Sequence, residues 1–345
     1  MRTTIDQLYP DIWQQIFEYF NAIELFFSLM HITREADEVL FNINHHFCLR
    51  GLVLDVDVRT LPEALLLNQV ISLELHQKNH LDNIQQCLEL RALKLIGHPQ
   101  WIICLLGKIS QVNLKLEQLT LVVPGIGLLH NLLACIPLLL SLRRLEIYGD
   151  ESEERIKNGT SFLAQTKIEK FILHSCSSVS WNDLSYMLPG LSNICSLDIT
   201  LLRFSKNSLC SFNFPKLRSV SLILLEVPFD CIIQLVTTMP SLVKLKLNGL
   251  VDADGFVINN KWLHLFEFCS SLLKVTVSLS LEQDTNSCYN ELIQTILHEI
   301  NLSLRCIDND CEYYFDRRDQ YQWWNLSGII IKQDGHIKGK HQTPS

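Results

Sequence analysis

The chain has 345 residues, of which 48% are hydrophobic and 19% charged, and its formal net charge is −8 at pH 7. This composition excludes disorder over most of the length, and a net negative charge without a long basic run argues against nucleic acid or acidic membranes as the main partner. A chain of this length forms either two domains or an elongated stack of repeats in which each unit buries its apolar face on its neighbours.

The first segment predicts three short helices. Pro10 suits the first turn of a helix, and the apolar residues that follow it recur at helical spacing. Asn21 with Glu24 three residues later has the pattern of a capping box that opens a second helix, and Thr33 is a candidate cap of a third. Three helices of about ten residues cannot bury all of their aromatic side chains among themselves, so a partner or the following repeats must cover some of them.

The residues of this segment resemble the F-box motif. That motif has a Leu and a Pro, an acidic residue, an Ile, then Ile-Phe-x-Tyr-aromatic and an acidic-Leu pair. It is matched by Leu8-Tyr9-Pro10-Asp11-Ile12-Trp13-Gln14-Gln15-Ile16-Phe17-Glu18-Tyr19-Phe20 together with Glu24-Leu25. The resemblance covers about residues 6 to 42. The family usually has Leu and Pro adjacent, whereas Tyr9 separates them here.

This resemblance implies that the helical segment docks on the Skp adaptor of a cullin-RING ubiquitin ligase, while the sequence behind it selects the protein to be ubiquitinated. The positions that in the family contribute to the adaptor contact are occupied by Leu8, Pro10, Ile12, Ile16, Phe17 and Leu25. In the alternative interpretation, Ile16 and Phe17 form the interior of a helical cap that seals the first repeat.

A leucine-based phrase recurs through the middle of the chain. Each copy reads apolar, two variable, apolar, one variable, apolar, and its last three positions alternate as a short half-buried strand does. The second apolar position of successive copies falls at Leu93, Leu119, Leu145, Phe171, Leu197, Val220, Leu245 and Val275. The spacings are 26, 26, 26, 26, 23, 25 and 30 residues, and a period of about 20 to 29 residues is typical of a leucine-rich-repeat solenoid. A less certain earlier copy ends at Leu73-Glu74-Leu75, and residues 52–58 alternate as a first, irregular strand would.

Helices are predicted between these strands. Residues 127–136, 180–188 and 230–239 are apolar at helical spacing, and each run ends at a proline, which disfavours the helical conformation in the residue before it. The alternation of strand and helix predicts an α/β fold, a right-handed leucine-rich-repeat horseshoe with short parallel strands on the concave side and helices on the convex side.

The predicted domains follow from these boundaries. They are an F-box-like helical module at residues 1–45, a degenerate leucine-rich-repeat solenoid at 46–305, an aromatic C-terminal cap at 306–331 and a flexible tail at 332–345.

Residues 118–142 form an uncharged run that is long enough for a transmembrane helix. Proline and glycine interrupt the run, and both of its ends coincide with strand phrases. A buried repeat is therefore the preferred interpretation.

The C-terminal region predicts one more amphipathic helix at residues 289–300, followed by a segment dense in aromatic residues at 313–324. The end of a solenoid exposes an apolar cross-section that must be covered, so this aromatic segment is interpreted as a cap. The alternative is a binding hot spot, because Trp, Tyr and Arg contribute most of the energy at protein interfaces.

No catalytic or metal-binding pattern is found in the sequence. It contains no Gly-x-Gly-x-x-Gly, P-loop, Gly-x-Ser-x-Gly or His-Glu-x-x-His motif, and its 12 cysteines include no Cys-x-x-Cys pair. We therefore expect no enzyme activity, no cofactor and no metal. No secretory signal is recognised at the start of the sequence, so we expect a cytoplasmic or nuclear protein with reduced thiols.

Together these features predict the substrate-recognition subunit of an SCF-type ubiquitin ligase. Its expected partners are a Skp-type adaptor, through it a cullin, and a substrate protein held by the repeats, with no nucleic acid and no membrane. The alternative is a leucine-rich-repeat protein-binding scaffold whose N-terminal helices only cap the stack and which has no role in a ligase.

Overall fold

The computed structural model describes residues 5, 8–41, 48–54, 65–76, 84–111, 115–125, 128–149, 165–175, 187–202, 214–252, 265, 268–269, 271–282, 314–317, 323–333 and 336–339. The chain divides into two compact units, Met1–Ser152 and Glu153–Ser345, which we call unit 1 and unit 2.

The three predicted helices open unit 1. Their bounds are Pro10–Phe17 for α1, Ala22–Glu24 for α2, which continues as a wider helical turn over Leu25–Leu29, and Arg34–Phe41 for α3. The predicted capping box is confirmed, because the Asn21 side chain accepts the Glu24 N–H at 2.9 Å and the Glu24 carboxylate accepts the Asn21 N–H at 3.0 Å. Thr33 also caps α3 as predicted, since its hydroxyl oxygen accepts the Ala36 N–H at 3.0 Å.

The interior of this helical module is aromatic. Trp13 and Phe17 lie one turn apart on α1, are at most 1% exposed, and have ring centroids 5.5 Å apart. Helix α1 packs against α3. The backbone N–H of Ala22 donates to the carbonyl of Arg50 at 2.8 Å, immediately before the first strand. The module is therefore attached to the first strand of unit 1.

In the part of unit 1 that the structure describes, five parallel strands follow the helices, with short 3₁₀ turns at Leu67–Gln69 and Ile136–Leu138 between them. The strands are β1 (Leu52–Leu54), β2 (Ser72–Leu75), β3 (Ala92–Ile96), β4 (Gln118–Val123) and β5 (Arg144–Gly149), adjacent in chain order. Residues 55–58 of the predicted first strand lie outside the described residues. The register places Leu52, Leu73, Leu93, Leu119 and Leu145 side by side.

The described residues of unit 2 form five more parallel strands and a short 3₁₀ turn at Leu188–Gly190. The strands are β6 (Lys170–Ser175), β7 (Ser196–Leu202), β8 (Ser219–Leu225), β9 (Lys244–Asp252) and β10 (Lys274–Glu282), again adjacent in chain order. Their register aligns Phe171, Leu197, Val220, Leu245 and Val275.

These alignments confirm the predicted α/β leucine-rich-repeat fold in each unit. Within each unit, the residues chosen from the recurring phrase are the register partners of one another. Leu93 and Leu95 are buried while Lys94 between them is partly exposed, so the period-two pattern separates an inner from an outer side of the strands. The repeat length places each strand beside the preceding one, because every repeat returns the chain to the same position.

Helices connect several of the strands. They are α4 (Pro99–Ile109) between β3 and β4, α5 (Leu129–Cys135) between β4 and β5, and α6 (Phe229–Thr237) between β8 and β9. Helices α5 and α6 confirm the predictions for residues 127–136 and 230–239. Helix α4 was not predicted, although Pro99 directly after the capping residue His98 is a recognisable start signal. The predicted helix at 180–188 lies largely outside the described residues.

The uncharged run at residues 118–142 is divided between β4 and α5 rather than forming one long helix. Within the part of the chain that the structure describes, no helix has both the length and the apolar character needed to cross a membrane.

The C-terminal region adds antiparallel strands to unit 2. Strand β12 (Trp323–Gln333) pairs with β10, while β11 (Tyr314–Arg317) and β13 (His336–Gly339) pair with β12. The sequence predicts a flexible tail from residue 332, whereas β12 and β13 form a hairpin there. The predicted helix at 289–300 lies outside the described residues.

One glycine is required by the close approach of two strands. Gly249 in β9 is the register partner of Leu224 in β8 and has φ of +113°. A Cβ at this position would lie 2.2 Å from the carbonyl oxygen of Leu224. Both the backbone conformation and the space therefore restrict the position to glycine.

Candidate protein-binding surfaces

Helix α1 has apolar residues on two sides. Trp13 and Phe17 point into the module, but four other apolar residues on or beside the helix are exposed or half-exposed. We call this second set the α1 stripe, and its members are Tyr9 (76% exposed), Ile12 (40%), Ile16 (half-buried) and Tyr19 (88%). Ile12 and Ile16 are four residues apart in α1 and lie on one side of it, while Tyr9 directly precedes the helix and Tyr19 follows its end. An apolar stripe that the chain itself leaves uncovered is the usual character of a binding surface.

The six residues assigned to an adaptor contact are divided by the fold. Ile12 is exposed, and Leu8, Pro10 and Ile16 are half-buried, so these four remain accessible to a partner.

Phe17 and Leu25 are not accessible in this conformation, so the assignment of a direct adaptor contact to these two residues has to be corrected. Phe17 is 0% exposed and Leu25 is 1% exposed, so both belong to the interior of the helical module. In this conformation both side chains contribute to the interior of the module, and a fully enclosed side chain has no surface left for another protein.

Three exposed aromatic residues were not assigned to the site from the sequence. Tyr9 and Tyr19 extend the α1 stripe at both ends, and Phe27 in the wider helical turn is 80% exposed. In the F-box pattern Tyr9 is only an interruption between Leu8 and Pro10. The helical spacing of Tyr9 with Ile12 and Ile16 is the signal that could have identified it.

The outer side of the unit 1 strands contains charges that are already paired. Glu74 in β2 contacts the Lys94 ammonium at 3.1 Å and the His76 ring nitrogen Nε2 at 2.7 Å. Glu146 in β5 is only 6% exposed; it pairs with the guanidinium of Arg144, and the Tyr148 hydroxyl donates to it at 3.1 Å. This part of the face has little unbalanced charge to offer a partner.

The outer side of unit 2 begins with a histidine–aspartate contact. His174 Nε2 lies 3.5 Å from the Asp198 carboxylate, and His174 Nδ1 lies 3.2 Å from the Thr200 hydroxyl. The 3.5 Å contact is longer than a typical hydrogen bond and is chiefly electrostatic. Burial alone would raise the pKa of Asp198, but its interactions with His174 and Ser221 and the positive charge of Lys246 outweigh burial and hold the pKa below its ordinary range.

Three lysines lie together further along the same face. Lys244 and Lys274 are register partners in β9 and β10, and Lys246 lies two residues along β9 on the same side. All three are exposed, and the buried residues Leu245 and Val275 alternate with them. We call Lys244, Lys246 and Lys274 the lysine cluster. Directly opposed like charges in a sheet are destabilising, so this arrangement favours binding of an anionic group.

The described part of the chain contains no group of three or more His, Cys, Asp or Glu side chains arranged to hold a metal ion. The surfaces that it does offer are an apolar stripe and a charged strand face. Both are suited to contacts with other macromolecules.

Comparison with protein-family models finds no family that matches the chain, and no curated protein matches it either. Among solved structures, the chain is similar to the internalin InlF from Listeria monocytogenes, with a TM-score of 0.38 and 18% sequence identity over 75% of this chain and 68% of that chain. The strand register shows the leucine-rich-repeat architecture. An architecture of this kind supports a repeat-based binding scaffold.

Proposed function

We propose that this chain is the substrate-recognition subunit of an SCF-type cullin-RING ubiquitin ligase. In this proposal the helical module binds a Skp-type adaptor, and through it a cullin, while the strand faces of the repeats hold the substrate protein. The observation that supports it is the α1 stripe, which leaves Tyr9, Ile12, Ile16 and Tyr19 uncovered within the F-box-like segment.

Apolar surface exposed to water is costly, and a partner that covers it gains free energy. Scattered apolar residues are common on protein surfaces, but two isoleucines on one side of a single short helix, with exposed tyrosines beside both of its ends, form a set. Aromatic side chains of this kind supply much of the energy in protein interfaces. A partner with an apolar groove would bind α1 as an amphipathic helix that inserts its side chains at spacings of three and four.

The proposed mechanism is tethering, without chemistry by this chain. The helical module fixes its position on the ligase, and the repeats bind the substrate protein. A lysine of the bound substrate then has a raised effective concentration near the ubiquitin-charged enzyme of the ligase.

The test is co-purification of the full chain with a Skp adaptor, comparing the wild type with Ile12→Asp/Ile16→Asp. Both residues are accessible, so the substitutions place charge in the proposed interface without entering the core. A matched control is Leu138→Asp/Leu140→Asp, which changes two leucines of the same unit that are 55% and 73% exposed. We expect the adaptor to be retained by the wild type and the control and lost by the α1 variant. Circular dichroism confirms that all three proteins are folded.

A second candidate function is a leucine-rich-repeat binding scaffold without a ligase role. It is favoured by the burial of Phe17 and Leu25 and by the hydrogen bond from Ala22 to Arg50, which together describe a cap on the first strand. If the folded wild type does not bind the adaptor, the ligase proposal is wrong and the scaffold interpretation replaces it.

A further inference from the structure

The first positions of the unit 2 strands form a row across the outer side of the sheet. In strand order the row reads Lys170, Ser196, Ser219, Lys244 and Lys274. Adjacent strands are about 4.8 Å apart, so Lys170 lies about 14 Å from Lys244, which an extended peptide of four or five residues spans. The row is therefore long enough to contact several side chains of one bound segment.

The charge on this row is opposite in sign to that of the whole chain. The formal net charge is −8, yet lysines predominate on this face. Asp198 is the one carboxylate among the outward side chains that the structure describes on β6 to β10, and it already interacts with His174, with Ser221 and with the positive charge of Lys246. The register pair Asp252 and Glu282 ends the same strands, eight residues or about 26 Å beyond Lys244 and Lys274.

Basic side chains on the outer side of the unit 1 strands are paired differently from those of the lysine cluster. In unit 1, Lys94 and Arg144 on the outer side each contact a glutamate of the same sheet. The lysine cluster instead places Lys244 directly beside Lys274, an arrangement that destabilises the isolated sheet. A ligand that brings carboxylates to this face would relieve the repulsion, and its charge would also accelerate the encounter.

We propose that the outer face of β9 and β10 binds an acidic segment of a partner protein, whose aspartate or glutamate side chains pair with the lysine cluster. This inference rests on the proposed function, in which the repeats hold a protein substrate, and it specifies the chemistry of that substrate. The hydroxyls of Ser219 and Thr276 flank the cluster and supply hydrogen bonds to the same segment.

A protein segment fits this face better than a nucleic acid does. Surfaces that bind single strands combine positive charge with aromatic side chains on which bases stack. The outward residues that the structure describes on β7 to β10 beside the lysine cluster are mainly hydroxyl-bearing rather than aromatic. The strongly negative net charge of the whole chain also opposes a long phosphate backbone.

The experiment measures fluorescence anisotropy of a labelled peptide of alternating Glu and Ser on titration with the full chain. A Gln-Ser peptide of equal length and a single-stranded oligo-dT of equal charge serve as comparison probes. The test variant is Lys244→Gln/Lys246→Gln/Lys274→Gln. The control variant is Arg91→Gln/Lys108→Gln/Lys115→Gln, which removes the same charge from exposed positions of unit 1.

We expect the acidic peptide to bind the wild type and the control variant, and to bind the test variant about tenfold more weakly. Added salt should weaken the wild-type complex because the charges are exposed. Equal binding by both variants, or no binding of the acidic peptide to the wild type, overturns the proposal. Tighter binding of oligo-dT than of the peptide, lost in the test variant, also overturns it and assigns the face to nucleic acid.

The result is separable from the test of the proposed function. Adaptor co-purification depends on the α1 stripe in unit 1 and should be unchanged in the test variant. A chain that retains the adaptor but ignores the acidic peptide would keep its proposed function and lose only this assignment of substrate chemistry.

Discussion

Replacing Leu119 by alanine should destabilise unit 1 by several kilocalories per mole. Leu119 lies in β4 between its register partners Leu93 and Leu145 and is 0% exposed. The substitution removes three buried carbon atoms, which at about 0.8 kcal/mol each corresponds to roughly 2.4 kcal/mol of lost transfer free energy. The cavity left between two neighbouring repeats raises the cost to roughly 3–5 kcal/mol.

The assay is urea unfolding of the full chain followed by far-UV circular dichroism. The control is Leu140→Ala, the same substitution in the same unit at a residue that is 73% exposed, which should change the free energy of unfolding by no more than about 0.5 kcal/mol. We expect a lower urea midpoint for Leu119→Ala with an unchanged slope. If the two variants unfold at the same urea concentration, Leu119 does not lie in a packed core between parallel strands and the repeat register is wrong.

Three further outcomes follow from individual residues. Gly249→Ala should destabilise the chain by more than about 1 kcal/mol, because the new Cβ meets a backbone oxygen at a position with positive φ. Gly107→Ala in α4 has open space around the new Cβ and should stabilise the chain slightly. Urea unfolding that ranks the two variants in the opposite order would contradict the geometry. Because the pKa of Asp198 is lowered in the fold, its carboxylate contributes stability at pH values above its unfolded pKa of about 3.9, and this contribution is lost progressively as the pH falls from there through the lower folded pKa. Asp198→Asn should therefore be less stable than wild type at pH 7, by a margin that shrinks as the pH is lowered below about 3.9, and a pH-independent difference would argue against the charge network. Burial raises the pKa of the Cys87 thiol to about 11. In the native protein at pH 8, iodoacetamide should therefore alkylate the exposed Cys104 and leave Cys87 unmodified, as measured by mass spectrometry. Early labelling of Cys87 would show that its site is open.

The repeat register could be predicted from the sequence to the residue. The equal spacing of Leu93, Leu119 and Leu145 indicates the register, because a repeat of constant length must return the chain to the same place in the next strand. Capping at Asn21 and Thr33 was also predictable, since those side chains satisfy backbone N–H groups within their own helical turn. Such features depend on local chemistry or on strict periodicity.

Features that depend on which side of an element faces inward could not be predicted in the same way. Helix α1 has apolar residues on two sides, so the F-box pattern did not show that Phe17 would be enclosed while Ile12 remained exposed. The antiparallel β12 was also missed, because the density of aromatic residues at 313–324 indicated a cap without indicating its pairing. The lysine cluster joins residues 30 positions apart, Lys244 and Lys274, and becomes visible only when the strands are aligned.

The most direct test of the account is the register of β9 and β10, on which both the repeat fold and the lysine cluster depend. Lys244→Cys/Lys274→Cys places two thiols on register partners about 4.8 Å apart, within the Cα separation of roughly 4.4–6.8 Å that a disulfide allows. In Lys244→Cys/Ser278→Cys the second thiol is on the same exposed side of β10, but it lies four residues beyond Lys274, the register partner of residue 244. This places it about 13 Å further along the strand. After mild oxidation and peptide mass spectrometry, we predict a cross-link between residues 244 and 274 and none between 244 and 278. A cross-link in the second variant with none in the first would contradict the parallel, in-register arrangement of the repeats.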